Sequence, residues 1–235
     1  MTADEVINWL SNGSAVSKLK YPSYKVIDEC GYILVPGFHG GNQKLILAFA
    51  DSLQLILKNL AAFGIKGWVI DLRQNTGGNQ EPMIAGLGPL FSSTKLGSLV
   101  DVNNKSDGWY YKDGKYWGDD YAGWNVSNPV TLNSKLPIAV LTSNQVGSSG
   151  EIVTISFIGN AKTKSFGQPT LGLTTGNGDF NLPDGSKIFL ASTVMSDRND
   201  KQYHGPIEPD FLIENKIING TDMVLRAAID WIKIK

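Results

Sequence analysis

The sequence predicts an α/β fold with a core of mostly parallel strands and covering helices, and three observations carry this prediction. Segments 68–72 and 138–141 are apolar throughout apart from Asp71, which is typical of strands buried on both faces of a parallel sheet. Apolar residues recur at three- and four-residue intervals from Leu45 to Leu60, which predicts a helix. Strand and helix patterns alternate along the chain, and this order favours right-handed crossovers.

Each further element has its own local signal. Pro36-Gly37 ends a strand at 32–35, and Gly64 is placed to end the helix that follows it. The last element is predicted to be a helix with Thr221 as its N-cap and an apolar stripe over 224–232. The remaining predicted elements are helices at 81–91 and 151–158 and strands at 165–166 and 187–194.

The chain is predicted to consist of an N-terminal appendage, 1–27, with a short helix at 5–10, and a core, 28–235. Residues 95–130 are predicted to form an aromatic-rich hairpin insertion in that core, since Asp113-Gly114 between two aromatic runs is typical of a type I′ turn. These aromatic residues either pack on the sheet and on each other or form a wall of a substrate groove. The candidate groove contacts are Trp109, Tyr111 and Trp117.

Composition excludes several classes of partner. The chain carries 21 basic and 22 acidic residues and a net charge of −1, which argues against nucleic acid or an anionic membrane as the main partner. The single cysteine excludes an internal disulfide, and with only two histidines a zinc cluster is not expected. We therefore predict no metal, no cofactor and no nucleic acid. The first residues also lack the pattern of a secretory signal peptide.

Two glycine-containing loops carry the candidate chemistry. Gly147–Glu151, with the sequence GSSGE, lies between a predicted buried strand and a helix, where free N–H groups and the helix dipole favour an oxyanion. Ser148 is there a candidate nucleophile, or Ser148 or Ser149 is only the N-cap of the helix, with Glu151 completing the capping box. Segment 71–79, DLRQNTGGN, also follows a strand and is either a second set of main-chain donors or a plain turn.

Five motifs in this order resemble the catalytic core of the tail-specific, or C-terminal-processing, serine peptidases, over about residues 31–214. They are DLRxNxGG at 71–78, GSSGE at 147–151, GxPTxG at 167–172, LxDGS at 182–186 and PIEPD at 206–210.

The resemblance implies a core like that of the crotonases and ClpP, a peptide or protein substrate and no cofactor. It assigns Ser148 as nucleophile, and the N–H groups of Ser149 and of Gly77 or Gly78 as the oxyanion hole. It also implies a location outside the cytoplasm, in the periplasm, the cell envelope or the medium.

The chain departs from the processing branch at the general base. Leu173 stands where that branch has a lysine, so the sequence is more similar to the branch of the tricorn core and the nisin-resistance protein, which uses a histidine. That branch takes its histidine upstream of the strand at 32–35, and no histidine here precedes position 39. An upstream segment is missing, or His39 or, less directly, His204 serves, or the protein is inactive. The alternative for His39 is a substrate contact or a position on the loop surface. Glu208 resembles the supporting acid of this branch; its alternative is a surface turn residue.

Three functions remain open at this point. The leading hypothesis is a serine endopeptidase that cleaves peptides or protein C-terminal tails through an acyl-enzyme. The second is a catalytically impaired peptide-binding or scaffold module with the same fold, supported by Leu173 and by the missing upstream histidine. The third is a crotonase-like hydratase or isomerase. This hypothesis is less favoured, because a serine at the head of a helix contributes little to enolate chemistry.

Overall fold

The computed structural model of the protein describes residues 20–132 and 136–235. The helices are α1 (Gln43–Ala62), α2 (Gln80–Leu87), α3 (Ser149–Phe157) and α4 (Met223–Lys233), and a 3₁₀ helix covers Gly88–Leu90. The strands are β1 (Ser23–Ile27), β2 (Cys30–Leu34), β3 (Gly67–Asp71), β4 (Lys95–Asp101), β5 (Ser106–Lys112), β6 (Lys115–Gly118), β7 (Trp124–Asn125), β8 (Ile138–Thr142), β9 (Thr163–Gly167), β10 (Thr175–Asn181), β11 (Lys187–Asp197), β12 (Gln202–Tyr203), β13 (Phe211–Leu212), β14 (Ile217–Ile218) and β15 (Thr221–Asp222). The helix predicted at 5–10 lies outside the described residues.

The main sheet has the strand order β1-β2-β3-β8-β9-β13. Strands β2, β3, β8, β9 and β13 are parallel to their neighbours, and β1 pairs antiparallel with β2. The predicted α/β fold with a parallel core is confirmed. The boundary at residue 27 is not where it was predicted, because 23–27 form an edge strand of this sheet rather than part of an appendage.

Alternate residues of the central strands face two separate hydrophobic clusters. Ile70 of β3 packs in the cluster that contains Phe49 and Leu53 of α1, whereas Val69 packs in the cluster that contains Val224 and Ala228 of α4. The sheet is therefore covered on both faces, which explains why β3 and β8 are apolar at successive positions.

A second sheet is antiparallel and has the order β10-β11-β4-β5-β6-β7 along its main path. The predicted turn joins β5 to β6, and Asp113 and Gly114 both have positive φ, +49° and +89°, as a type I′ turn requires. Strands β10 and β11, at 175–197, belong to the same sheet. The aromatic segment is thus one part of a larger sheet and not a hairpin confined to 95–130.

Two predicted helix boundaries were wrong. The helix predicted at 81–91 ends at Leu87 and continues as the 3₁₀ helix, in which Pro89 has no N–H to donate to a longer α-helix. The N-cap of α4 is Asp222 and not Thr221, because the Asp222 carboxylate accepts the N–H groups of Val224 and Leu225, each at 3.1 Å.

Candidate active site

Ser148 lies at the carboxyl-terminal rim of the parallel sheet, between β8 and the first residue of α3. It is the N-cap residue of α3 and is half-buried, with the N-terminal end of the helix dipole beside it. Its φ of +52° is unusual for a residue with a side chain, and such strained positions cluster at functional sites. Ser148 therefore lies at the N-terminus of a helix and is partly exposed, a position that suits both the nucleophile and the N-cap interpretation of the motif.

The two glycine-containing loops are in direct contact. A Cβ atom added at Gly77 would lie 3.0 Å from the Cβ of Ser148 and 3.3 Å from the amide nitrogen of Ser149. The Ser149 hydroxyl also donates a hydrogen bond to the Gly78 carbonyl. Residues 77–78 and 148–149 thus form one cluster at the sheet rim, although about 70 residues separate them in the sequence.

The hydrogen bonds distinguish Gly77 from Gly78 as a main-chain donor. The Gly77 N–H donates to the Asn75 side-chain oxygen at 3.1 Å and is therefore already engaged. Within residues 20–132 and 136–235, neither the Gly78 N–H nor the Ser149 N–H donates to a protein acceptor. These two N–H groups are the ones available to a ligand next to Ser148.

The buried residue Asn75 links the two loops. Although it belongs to the first motif, it was assigned no role from the sequence. Its side chain is fully buried, accepts from Gly77 and donates to the Val35 carbonyl at 3.3 Å. Its own carbonyl accepts the Gly147 N–H at 3.2 Å. One residue thereby links the end of β2 to both loops. The available signal was a lone amide side chain between a buried strand and paired glycines.

Glu151 does more than the capping role that the sequence predicted. Its carboxylate is fully buried and accepts the Ser148 N–H at 2.9 Å, the Thr170 hydroxyl at 2.5 Å and the Gly172 N–H at 2.8 Å. A buried carboxylate is stable only with such donors. Glu151 therefore joins Ser148 to segment 170–172, a connection between distant residues that no local pattern reveals.

An ion-pair network centred on Arg73 contacts the loop at 71–79, which follows β3. Arg73 contacts the carboxylates of Asp71 and Asp222 at 2.7 Å each, and its carbonyl accepts the Ser143 hydroxyl at 2.6 Å. Burial raises the pKa of the Asp222 carboxyl, but the hydrogen bond and charge of Arg73 and the N–H groups of Leu225 and Val224 together lower it by more, so the pKa lies below its usual value. The network ties α4 to the loop that follows β3.

His39 lies beside the loop that carries Gly78. It is exposed and follows β2, and a Cβ atom added at Gly78 would lie 3.1 Å from its Nδ1. The preceding carbonyl, of Phe38, accepts the Asn79 N–H at 2.7 Å. His39 has no hydrogen bond or ion pair with any residue in the described part of the chain.

Glu208 and His204 are both exposed on the segment 203–210. The Ile207 N–H donates to the Thr170 hydroxyl at 2.8 Å, and this bond joins segment 203–210 to segment 170–172. Glu208 lines a cavity of about 260 Å³ that Ser148 does not line. A larger cavity, about 660 Å³, lies between α1 and residues 127–131 and also excludes Ser148. Glu208 is thus linked to Ser148 indirectly, through Ile207, Thr170 and Glu151.

Two of the three predicted substrate contacts are core residues. Trp109 is 3% exposed and donates its ring N–H to the Ser156 hydroxyl at 2.9 Å. Tyr111 is 7% exposed, and its hydroxyl accepts from Gln54 at 3.1 Å. Burial contradicts a groove wall at these positions and supports the packing interpretation. Trp117 is half-buried and stacks on Tyr110, so it stays a candidate.

A half-buried serine on the rim of a parallel sheet, in contact with a loop that carries a free main-chain amide, has the layout of a serine hydrolase site. The chain belongs to Peptidase family S41, whose family model matches residues 29–213. This match confirms the resemblance that the five motifs predicted.

Similarity to individual proteins agrees with the family. The chain is 29% identical over 223 residues to the nisin-resistance protein of Lactococcus lactis subsp. lactis, covering 93% of this chain. It spans 65% of the length of that relative. A solved lipoprotein from Streptococcus agalactiae superposes with a TM-score of 0.75 and 29% identity, covering 100% of this chain and 74% of the other. The photosystem II D1 C-terminal processing protease shares the fold, with a TM-score of 0.60 and 15% identity over 90% of this chain and 52% of the other.

Proposed function

We propose that the chain is the catalytic core of a serine endopeptidase that cleaves peptides or protein C-terminal tails through an acyl-enzyme. The observation that carries the proposal is the contact between Gly77–Gly78 and Ser148–Ser149. This contact brings the Ser148 side chain next to a loop whose Gly78 N–H, like that of Ser149, has no acceptor among the described residues, and we propose that these two donors face the Ser148 hydroxyl. Acyl transfer needs a nucleophile and main-chain donors in this relationship.

The chemistry would proceed in two steps. Ser148 Oγ forms a bond to the scissile carbonyl carbon as its proton passes to a base, and the carbonyl oxygen becomes an oxyanion that Gly78 and Ser149 N–H stabilise. The carbon–nitrogen bond then breaks, and the amine leaves with the proton. Water next attacks the acyl-enzyme and releases Ser148 with its proton restored. Loss of one oxyanion donor costs such enzymes about 10²–10³ in rate.

We propose His39 as the general base, because it lies beside Gly78 and its ring has no hydrogen-bond or ion-pair partner among the described residues. Histidine is the side chain that most often serves as a general base in catalysis. Glu208 is proposed as a supporting acid, through the Ile207–Thr170 link to Glu151. Substitution His39→Gln in the full gene product tests the first assignment: unchanged peptide cleavage would place the base elsewhere.

The substrate and the compartment extend the same proposal. Family S41 membership supports a peptide or protein substrate. The similarity to a lipoprotein of Streptococcus agalactiae and to a nisin-resistance protein supports a location outside the cytoplasm.

A second candidate function is a peptide-binding module that has lost turnover. The observation that favours it is the lack of any described acidic partner that would orient His39, together with Leu173 at the position of the processing-branch lysine. This module would bind peptides equally well with and without the Ser148 hydroxyl.

Labelling with a fluorophosphonate probe separates the two functions. The full gene product and the control Ser186→Ala, at an exposed serine, are expected to be labelled, whereas Ser148→Ala is not. Equal labelling of Ser148→Ala would exclude Ser148 as the nucleophile. Peptide binding without labelling or cleavage by the full gene product would favour the binding module.

A further inference from the structure

We infer that Leu171 and Leu173 form an apolar contact that selects the substrate side chain next to the scissile bond; this inference rests on the proposed peptidase function. It assigns a preference for a residue such as leucine, phenylalanine or methionine on one side of the cleaved bond. Neither leucine is among the residues that the motifs assign to catalysis.

The two side chains stand over the backbone that leads into Ser148. A Cβ atom added at Gly147 would lie 3.2 Å from Leu171 Cδ2 and 3.5 Å from Leu173 Cδ1. Gly147 has no side chain of its own, so the two leucines provide the apolar surface immediately before the nucleophile. A substrate whose carbonyl carbon reaches Ser148 must place a neighbouring side chain close to this surface.

Both leucines are open to a ligand. Leu171 is 53% exposed and Leu173 is 52% exposed. A single exposed leucine is ordinary on a protein surface. Two that flank one glycine, beside free main-chain donors, provide apolar area that a bound side chain can cover, and covering it favours binding.

The pair is held rigidly with respect to Ser148. The Leu171 N–H donates to the Val146 carbonyl at 2.8 Å, and the Glu151 carboxylate accepts from both residues that flank Leu171. The same carboxylate accepts the Ser148 N–H. Gly172 has a φ of +93°, and a Cβ atom there would lie 2.8 Å from Pro206. A contact built on so fixed a loop is pre-organised, which is what selectivity requires.

A charged side chain at this position would lose water without gaining a partner from the leucines, whereas an apolar side chain would gain contact area. A difference of one methylene group in such a contact changes kcat/KM by about 10–200-fold. Removing either leucine side chain beyond Cβ should therefore reduce the preference markedly without affecting the reactivity of Ser148.

The test uses the full gene product and a peptide set varied at both residues flanking the scissile bond. The parent is expected to prefer leucine or phenylalanine over aspartate or serine at one of the two positions by about tenfold or more in kcat/KM. Leu171→Ala and Leu173→Ala should each weaken that preference several-fold, and the double variant should remove it. Leu190→Ala is the matched control, since Leu190 is 51% exposed on β11.

A second variant tests the inference by gain of function. Leu173→Glu is expected to shift the preference at the same position toward lysine or arginine. An unaltered preference in both the double variant and Leu173→Glu would overturn the inference while leaving the peptidase standing. No cleavage and no labelling by the parent would instead overturn the proposed function, and the inference with it.

Discussion

The hydroxyl of Ser149 donates a hydrogen bond to the carbonyl of Gly78. This bond joins α3, which begins directly after Ser148, to the loop that follows β3. It also links the two residues whose N–H groups have no acceptor in the described part of the chain, Gly78 and Ser149. The hydroxyl that lies next to the proposed nucleophile thus has a positioning task.

We expect Ser149→Ala to lower kcat for peptide cleavage by about tenfold, since loss of this bond lets the two donors move relative to the substrate carbonyl, and a misplaced donor stabilises an oxyanion less. Stability should fall only by about 1 kcal/mol, the usual net value of one hydrogen bond. Ser52→Ala is the control, because the buried Ser52 hydroxyl donates to the Phe49 carbonyl in α1 at 2.7 Å. A similar kcat for both variants would contradict the positioning role.

Gly78→Ala is expected to reduce kcat by about 10²–10³, the loss that follows from removing one oxyanion donor. Gly78 has a φ of +106°, and an added Cβ would collide with the Phe38 carbonyl, so the loop and its N–H must shift. Gly185→Ala provides the comparison: its φ is +86° but the space around it is open, so it should lose about 1 kcal/mol of stability and no activity. Steady-state kinetics and thermal unfolding measure both. Full activity of Gly78→Ala would exclude this donor.

Asp222→Asn should change how stability depends on pH. Folding lowers the pKa of the Asp222 carboxyl. Its ion pair with Arg73 therefore stabilises the folded state at pH values above about 4, the ordinary pKa of such a group, and this stabilisation is lost as the pH falls through the folded pKa. The parent should therefore exceed the variant in free energy of unfolding at pH 7, and the difference should shrink below about pH 4.

Urea unfolding between pH 7 and pH 3 measures this difference, and Asp230→Asn, at the exposed pair with Arg226, is the control. A gap between parent and Asp222→Asn that stays constant over this range would refute the linkage.

Trp109→Ala is expected to destabilise the fold by about 3–5 kcal/mol, the cost of removing a large aromatic residue from a core. Trp117→Ala should cost only about 1 kcal/mol, since Trp117 is half-buried and stacks on Tyr110. Chemical unfolding gives both values. An increase in KM for Trp109→Ala without loss of stability would restore its predicted role in substrate binding.

Much of the architecture could be predicted because it depends on local patterns. The predicted strands at 32–35, 68–72 and 138–141 correspond to β2, β3 and β8, and the helix at 151–158 corresponds to α3. Periodicity reports which faces of an element are buried, and the strand-to-helix junctions locate the rim where polar loops gather. Ser148 and the paired glycines were found in this way.

Contacts between distant residues could not be predicted. Which of the two glycine N–H groups is already bonded depends on the contact between Gly77 and Asn75, and the burial of Glu151 depends on Thr170 and Gly172. The aromatic segment was ambiguous for the same reason, because the same alternation suits a buried sheet face and a groove wall. By itself the sequence determined which segments fold into strands and helices and which loops carry reactive groups. Only the tertiary structure decided which of those groups meet, because hydrogen bonds and packing depend on distances that the order of residues does not contain.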